Sequence, residues 1–220
     1  MRIFVFALLF LAGTSLASAQ PVPDLGPEAE PPSAEDFNAL PDDLPEDGGQ
    51  VVVDESDPED EKSRLDELFA NLAKSDNPKE AERIGREIQM LWMDSGSDTV
   101  DVLMSRAGKA IQADDHALAL DLLDTVVILK PTYAEGWNRR ATVHYMTEDF
   151  GKSLVDIERT LALEPRHWGA LSGLAIIQRR LGFESEALAT FRRALEVNPS
   201  LENATKAVND LEKEAEGEPA

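Results

Sequence analysis

From about Leu65 onward, apolar residues recur three and four positions apart, the spacing of helices that bury one face. The stretch Val100 to Tyr133 opens with a helix carrying Leu103, Ala107 and Ile111. Asp114-Asp115 marks a turn, and a second helix follows with Ala119, Leu120, Leu123, Val126 and Val127. Lys130-Pro131 ends it, because the residue before a proline is pushed out of helical backbone. Ala134 to His167 runs through the same order. Trp137 and Ala141 lie on its first helix, Glu148-Asp149-Phe150 forms the turn, and Ser153, Leu154, Ile157, Leu161 and Leu163 line the second helix. Trp168 to Leu201 follows suit, with Leu171, Leu174 and Ala175, a turn at Gly182, then Ala187, Leu188, Phe191, Ala194 and Leu195.

The three stretches share one register. Pro131, Pro165 and Pro199 stand 34 residues apart, and the same step links Leu120, Leu154 and Leu188, or Leu129, Leu163 and Val197. Ala107, Ala141 and Ala175 keep it too, as do Ala119, Ser153 and Ala187. A fixed period of this length predicts an all-α solenoid of stacked antiparallel hairpins, each unable to bury its apolar face alone. The two small-residue series face each other and let paired helices approach closely. Trp137, Ile157 and Phe191 are expected to fill the gaps between hairpins.

A less regular hairpin is predicted over residues 63–99. Leu65, Leu68, Phe69 and Leu72 form one face, Asp76-Asn77-Pro78 a turn, and Ala81, Ile84, Ile88, Leu91 and Trp92 the next face. Its second helix reads about a turn longer than its counterparts, which suits a degenerate cap on the first unit. After the last unit, Ala204, Val208 and Leu211 form a stripe on an otherwise polar segment, predicting a capping helix over 202–216 and a disordered end at 217–220.

This pattern resembles the tetratricopeptide repeat family. The likeness is carried by Trp137 with Ala141, by Asp149-Phe150, by the small residues 119, 153 and 187, and by the three prolines. It implies a right-handed superhelical solenoid with units at 100–133, 134–167 and 168–201, the first helix of each lining a concave groove that holds peptide ligands. The implied binding residues are Asn138, Arg139, Thr142 and Tyr145 in the middle unit, and Ser172, Ile176, Arg179 and Arg180 in the last. In the first unit the same faces carry Met104, Ser105, Gly108 and Gln112. Arg139-Arg140 and Arg179-Arg180 put four guanidinium groups on neighbouring helices, and arginine grips carboxylates in a bidentate fork, so an acidic or C-terminal peptide is an expected ligand. The same arginines read equally as solvated faces paired with local acids such as Glu135. Arg106 and Arg140 fall where this family usually has leucine, with stems expected to run along the helix seam, and stand outside the binding set. A subgroup of the family clamps chaperone C-termini with lysines and asparagines. Here Asn138 matches, Met104 takes the corresponding first-unit place and the lysines are missing, so that clamp is not carried over.

The N-terminal end changes the picture of location. Met1-Arg2, the apolar run Ile3 to Ala12 and Ala17-Ser18-Ala19 read as a signal peptide over 1–19, with no twin arginine and no lipid-anchor cysteine. The expectation is a soluble mature chain in a bacterial periplasm, with no membrane insertion. Residues 20–62 read as a disordered acidic tail, because Gln20 to Glu61 contains no Lys or Arg and many prolines. That tail is a solvating leader or, tethered at millimolar effective concentration, an occupant of the groove.

Chemistry adds little more. The chain carries 43 acidic against 21 basic residues, a net charge of −22, which argues against nucleic acid and anionic membranes as partners and against end-to-end self-assembly, leaving a monomer. Cysteine is absent, and His116, His144 and His167 sit in different units, so neither a disulfide nor a metal site is expected. No Gly-rich phosphate loop, nucleophile elbow or zinc-protease motif occurs, so neither cofactor nor catalysis is expected. The reading is a protein-interaction scaffold or adaptor of the cell envelope. A non-catalytic accessory or regulatory subunit of a cell-envelope enzyme would carry the same features.

Overall fold

A computed structural model describes residues 58–217; the leader and most of the acidic tail lie outside the described residues. The described part belongs to a single compact unit of the chain. Among the described residues there are nine helices and no strand. These are α1 (Pro58–Leu72), α2 (Pro78–Met93), α3 (Asp98–Gln112), α4 (His116–Leu129), α5 (Ala134–Met146), α6 (Phe150–Leu163), α7 (Trp168–Arg180), α8 (Glu184–Val197) and α9 (Glu202–Glu216). Helix α1 thus begins inside the stretch assigned to the tail, and α9 covers the expected capping segment. None of these helices is long and apolar enough to cross a membrane.

The 34-residue period appears in the backbone itself. Within each unit the turn residue takes positive φ: Asp114 at 56°, Glu148 at 59° and Gly182 at 81°. The residues before the three prolines, Lys130, Glu164 and Asn198, take φ of −134°, −134° and −135°, which ends α4, α6 and α8. Asp115 and Asp149 accept from the backbone of Leu118 and Lys152 and so cap the second helices of the first two units. Arg159 donates to the carbonyl of Pro131, and Arg193 repeats the bond on Pro165 one period later.

Small residues set the helix pairing. Ala107, Ala141 and Ala175 are fully buried against the Ala119, Ser153 and Ala187 series, and Ser153 Oγ donates to the Ala141 carbonyl at 2.8 Å. These contacts join α3 to α4, α5 to α6 and α7 to α8, and each hairpin then stacks on the next through α4 with α5 and α6 with α7. Gly136 marks the tightest approach, since a Cβ there would stand 2.7 Å from Val126 Cγ1. Valine cannot swing that methyl aside without leaving its preferred rotamer. Gly136→Ala should therefore lower stability by about 1–2 kcal/mol despite the better helix propensity of alanine, measured as a lower urea midpoint at unchanged slope.

Two expectations are corrected. Ile157 and Phe191 are buried between hairpins, but Trp137 is half-exposed: its Nε1 donates to the Pro131 carbonyl and its ring carries the Arg140 guanidinium at 4.8 Å. The second correction concerns the N-terminal hairpin, α1 with α2. It does not cover the outer face of the first unit, for Val102 is 52% exposed where its one-period counterparts Gly136 and Ala170 are buried. Instead, the hairpin packs its Phe69, Leu72, Ile84 and Ile88 against Trp168, with Val197 and Leu201 at the margin. The second helix is longer than its counterparts by two residues, 16 against 14, about half a turn.

Candidate functional site

Helix α2 runs against the chain direction along the loops that join the units. Near its middle, a Cβ on Gly85 would meet Asn198 Nδ2 at 3.4 Å. One unit earlier, the Trp92 ring stacks on His167 at 4.3 Å and 12° and packs against Trp168 at 4.3 Å. One unit earlier again, Tyr133 Oη donates to the Met93 carbonyl at 2.9 Å. Tyr133, His167 and Leu201 stand one period apart, directly before or at the start of a unit's first helix, and each meets the hairpin. The repeat thus offers a ladder of docking rungs, and this chain's own hairpin lies on it.

Beneath Trp92 is a buried polar network. Glu135, in the first turn of α5, accepts from Arg139 Nε at 2.8 Å and from Asn138 Nδ2 at 3.1 Å. It also meets His167 Nε2 at 3.1 Å. His167 Nδ1 accepts from the Ala170 amide and caps α7, so a neutral ring protonated at Nε2 satisfies both partners. Burial alone would raise the Glu135 pKa. The hydrogen bond from His167 and the charge of Arg139 outweigh it and hold the carboxyl down to about 2. Burial first, then the Glu135 charge, push the Tyr133 phenol well above its ordinary range.

The eight sequence-predicted binding residues fall in four settings. Asn138 and Arg139 come together, but on Glu135 rather than in solvent, and Arg139 reaches toward Gly108 of α3. Thr142 is buried with its hydroxyl on the Asn138 carbonyl, and Tyr145 is buried beside Phe150, Ala170 and Ile177. Ser172 and Ile176 on α7 are half-buried. Arg179 pairs with Glu214 at 2.7 Å and Arg180 with Glu148 at 3.3 Å. Arg140 binds Asp156 through two nitrogens at 2.8 and 2.7 Å, and Asp124 at 2.8 Å. All four guanidinium groups of the expected cationic cluster therefore hold carboxylates of the same chain. Sequence reasoning named Glu135 as a local partner. It missed the hairpin on the ladder, for which the available signal was the aromatic or apolar side chain at 133, 167 and 201 opposite an unmatched Trp92.

The histidines stay apart, as their units dictate. His144 lies 3.9 Å from Asp156, its pKa lowered by burial, with the Asp156 charge opposing. Among the described residues no cluster of three or more potential metal ligands occurs.

No protein-family model matches the chain. A TPR repeat-containing protein of Rhizobium etli is 44% identical over 156 residues, covering 71% of this chain and 76% of that relative. Among solved structures, the first TPR of Spaghetti (RPAP3), bound to the HSP90 peptide SRMEEVD, superimposes with a TM-score of 0.52 at 20% identity over 55% of this chain and 95% of its own. The Arabidopsis OM64 TPR domain matches with a TM-score of 0.50 at 20% identity over 52% of this chain and 94% of its own. At such identities the structural likeness is one of fold.

Proposed function

We propose that this chain, which belongs to the tetratricopeptide-repeat proteins, is a non-catalytic interaction scaffold of the bacterial periplasm that holds a segment of a protein partner on the side lined by its first helices. The carrying observation is the regular stacking of the hairpins through α4 with α5 and α6 with α7, which repeats the first helices α3, α5 and α7 at one period. Ser105 and Gln112 on α3 are exposed, and Gly108, Met146, Ser172 and Ile176 are half-buried. The Spaghetti TPR domain, of similar fold, is bound to a peptide, which supports a peptide or protein segment as the ligand class. The signal-like sequence at 1–19 supports export.

The arginine pairings reshape the expected ligand. An acidic peptide would have to displace Glu135, Glu148 or Glu214 from arginines already satisfied, at the cost of breaking an existing ion pair for each new one. A segment that uses backbone hydrogen bonds and apolar side chains against Ile176 and Met146 meets no such cost.

Photoreactive residues at Gln112 and Ile176, and at Thr125 on the second helix α4 as control, test this in cells. The expected result is one discrete envelope protein crosslinked from Gln112 and Ile176 but not from Thr125, by a processed chain starting near Gln20. Equal products from all three positions, or recovery only of unprocessed cytoplasmic chain, would refute the reading.

A further inference from the structure

We infer that the ladder Tyr133, His167 and Leu201 is a second docking surface of this scaffold, specific for an amphipathic helix bearing aromatic anchors and a nearby carboxylate, and that the hairpin α1–α2 is its removable occupant in cis. The inference deepens the scaffold reading and rests on it, since it names the kind of partner and the device that guards the surface.

The chemistry of the surface is written in its present occupant. Phe69 meets the Trp168 edge at 6.0 Å, and Trp92 covers His167 and Trp168. Arg166 stands beside this aromatic pair: its guanidinium lies 4.1 Å over the Phe69 ring and binds Asp66 at 2.7 Å. Asp66 and Phe69 are three residues apart, on one face of α1, so a single helix delivers both the carboxylate and the ring. A partner helix with an acid three residues before an aromatic, and a second aromatic supplied across the interface, reproduces each contact. Large aromatics in a desolvated setting with one charged neighbour are what protein interfaces use as anchors.

Three features mark the occupant as removable. The hairpin does not stack on one unit as a repeat would: α2 meets α5, Phe69 and Trp92 reach Trp168 at the start of α7, and a short turn through Gly96, at φ of +63° and tied by hydrogen bonds at Ser95 and Ser97, joins it to α3. Trp92 Nε1 is buried with no hydrogen-bond acceptor among the described residues, so the closed state leaves a polar group unpaid and an occupant with an acceptor there would do better. The Asp66–Arg166 pair is at the wet margin, with Asp66 about half exposed, and is open to exchange. The solenoid keeps its own core without the hairpin, because the three units are packed through separate clusters between α3 and α9.

The test uses the full chain and a labelled peptide copy of residues 58–93 followed by fluorescence anisotropy. In the wild-type chain the tethered hairpin competes at high effective concentration, so the peptide binds weakly. In the Phe69→Ala/Trp92→Ala chain, whose helical circular dichroism is checked first, the peptide is expected to bind at least tenfold more tightly. A peptide carrying Trp92→Ala should lose at least tenfold on that chain. One carrying Asp66→Lys should lose about threefold at low salt and little at high salt, the mark of a screened ion pair. Should the double variant unfold, Trp92→Ala alone, which keeps Phe69, serves as the loosened chain. Equal binding to wild-type and loosened chains, or indifference to Trp92→Ala in the peptide, would overturn the inference while leaving the crosslinks from Gln112 and Ile176 to stand. Hairpin exchange between copies, seen as a dimer of the loosened chain without peptide, would also overturn it and assign the ladder to self-association.

Discussion

Arg140→Ala should cost about 3–5 kcal/mol of folding stability, the largest single-site loss expected on a half-buried position of this chain. Asp156 is only 2% exposed, and Arg140 neutralises it through two hydrogen bonds while reaching Asp124 of the preceding unit. Truncation leaves a buried carboxylate without its guanidinium and cuts the polar tie between the first and second units. His144 offers partial relief. Its Nε2 lies 3.9 Å from the same Asp156 Oδ2 that accepts from Arg140 Nε, and after burial the Arg140 charge is one of the causes that depress its pKa. With Arg140 gone, that depression eases and His144 takes up a proton at higher pH than before. The deficit should therefore be smaller at pH 5.5 than at pH 8. In urea titrations, Arg140→Leu/Asp156→Leu should recover most of the loss, because a packed apolar pair needs no desolvation. An Arg140→Ala deficit below 1 kcal/mol, or one that grows on acidification, would contradict this account.

Acid should remove about 3 kcal/mol of stability through Glu135 alone. In the unfolded chain the group titrates at its ordinary 4.5; in the fold it is held to about 2. A depressed pKa means that the folded state favours the charged form. The stabilisation is present in full above pH 4.5 and is lost as pH falls from there towards 2. Glu135→Gln should thus be less stable than the wild type at pH 6, and the gap should close as both are taken to pH 2.5. The same substitution leaves Arg139 without its carboxylate and His167 Nε2 facing an amide. A constant gap across that range would mean that the Glu135 carboxyl is not held down by its neighbours.

The register of the solenoid was legible because it is written in residues with one physical reading each. Prolines must break α4, α6 and α8, and the alanine columns must sit where helices touch. The Asp115 and Asp149 caps follow from the same local logic. Asn138, Arg139 and Thr142 share one side of α5, as helical spacing requires. Their burial was not legible. It depends on Glu135 and on His167, one unit on, which Trp92 covers from a segment with no period to place it. The Asp66–Arg166 pair spans 100 residues, and no spacing rule connects such positions. Periodicity fixes what each unit does to its nearest neighbour. It is silent on an irregular element that lies across several units at once, and that is where the chain's individuality resides.

The position of that element can be measured directly, because the sequence contains no cysteine. Gly85→Cys with Asn198→Cys places two thiols at the point where α2 crosses the last proline loop, a Cβ at 85 standing 3.4 Å from the Asn198 amide. Mild oxidation of the full chain at low concentration should close an intramolecular disulfide quickly, while Gly85→Cys with Val102→Cys, on the uncovered outer face of the first unit, stays reduced. The reverse, a slow first pair and a fast second one, would mean that the hairpin caps the solenoid as an ordinary preceding unit and that the ladder stands open.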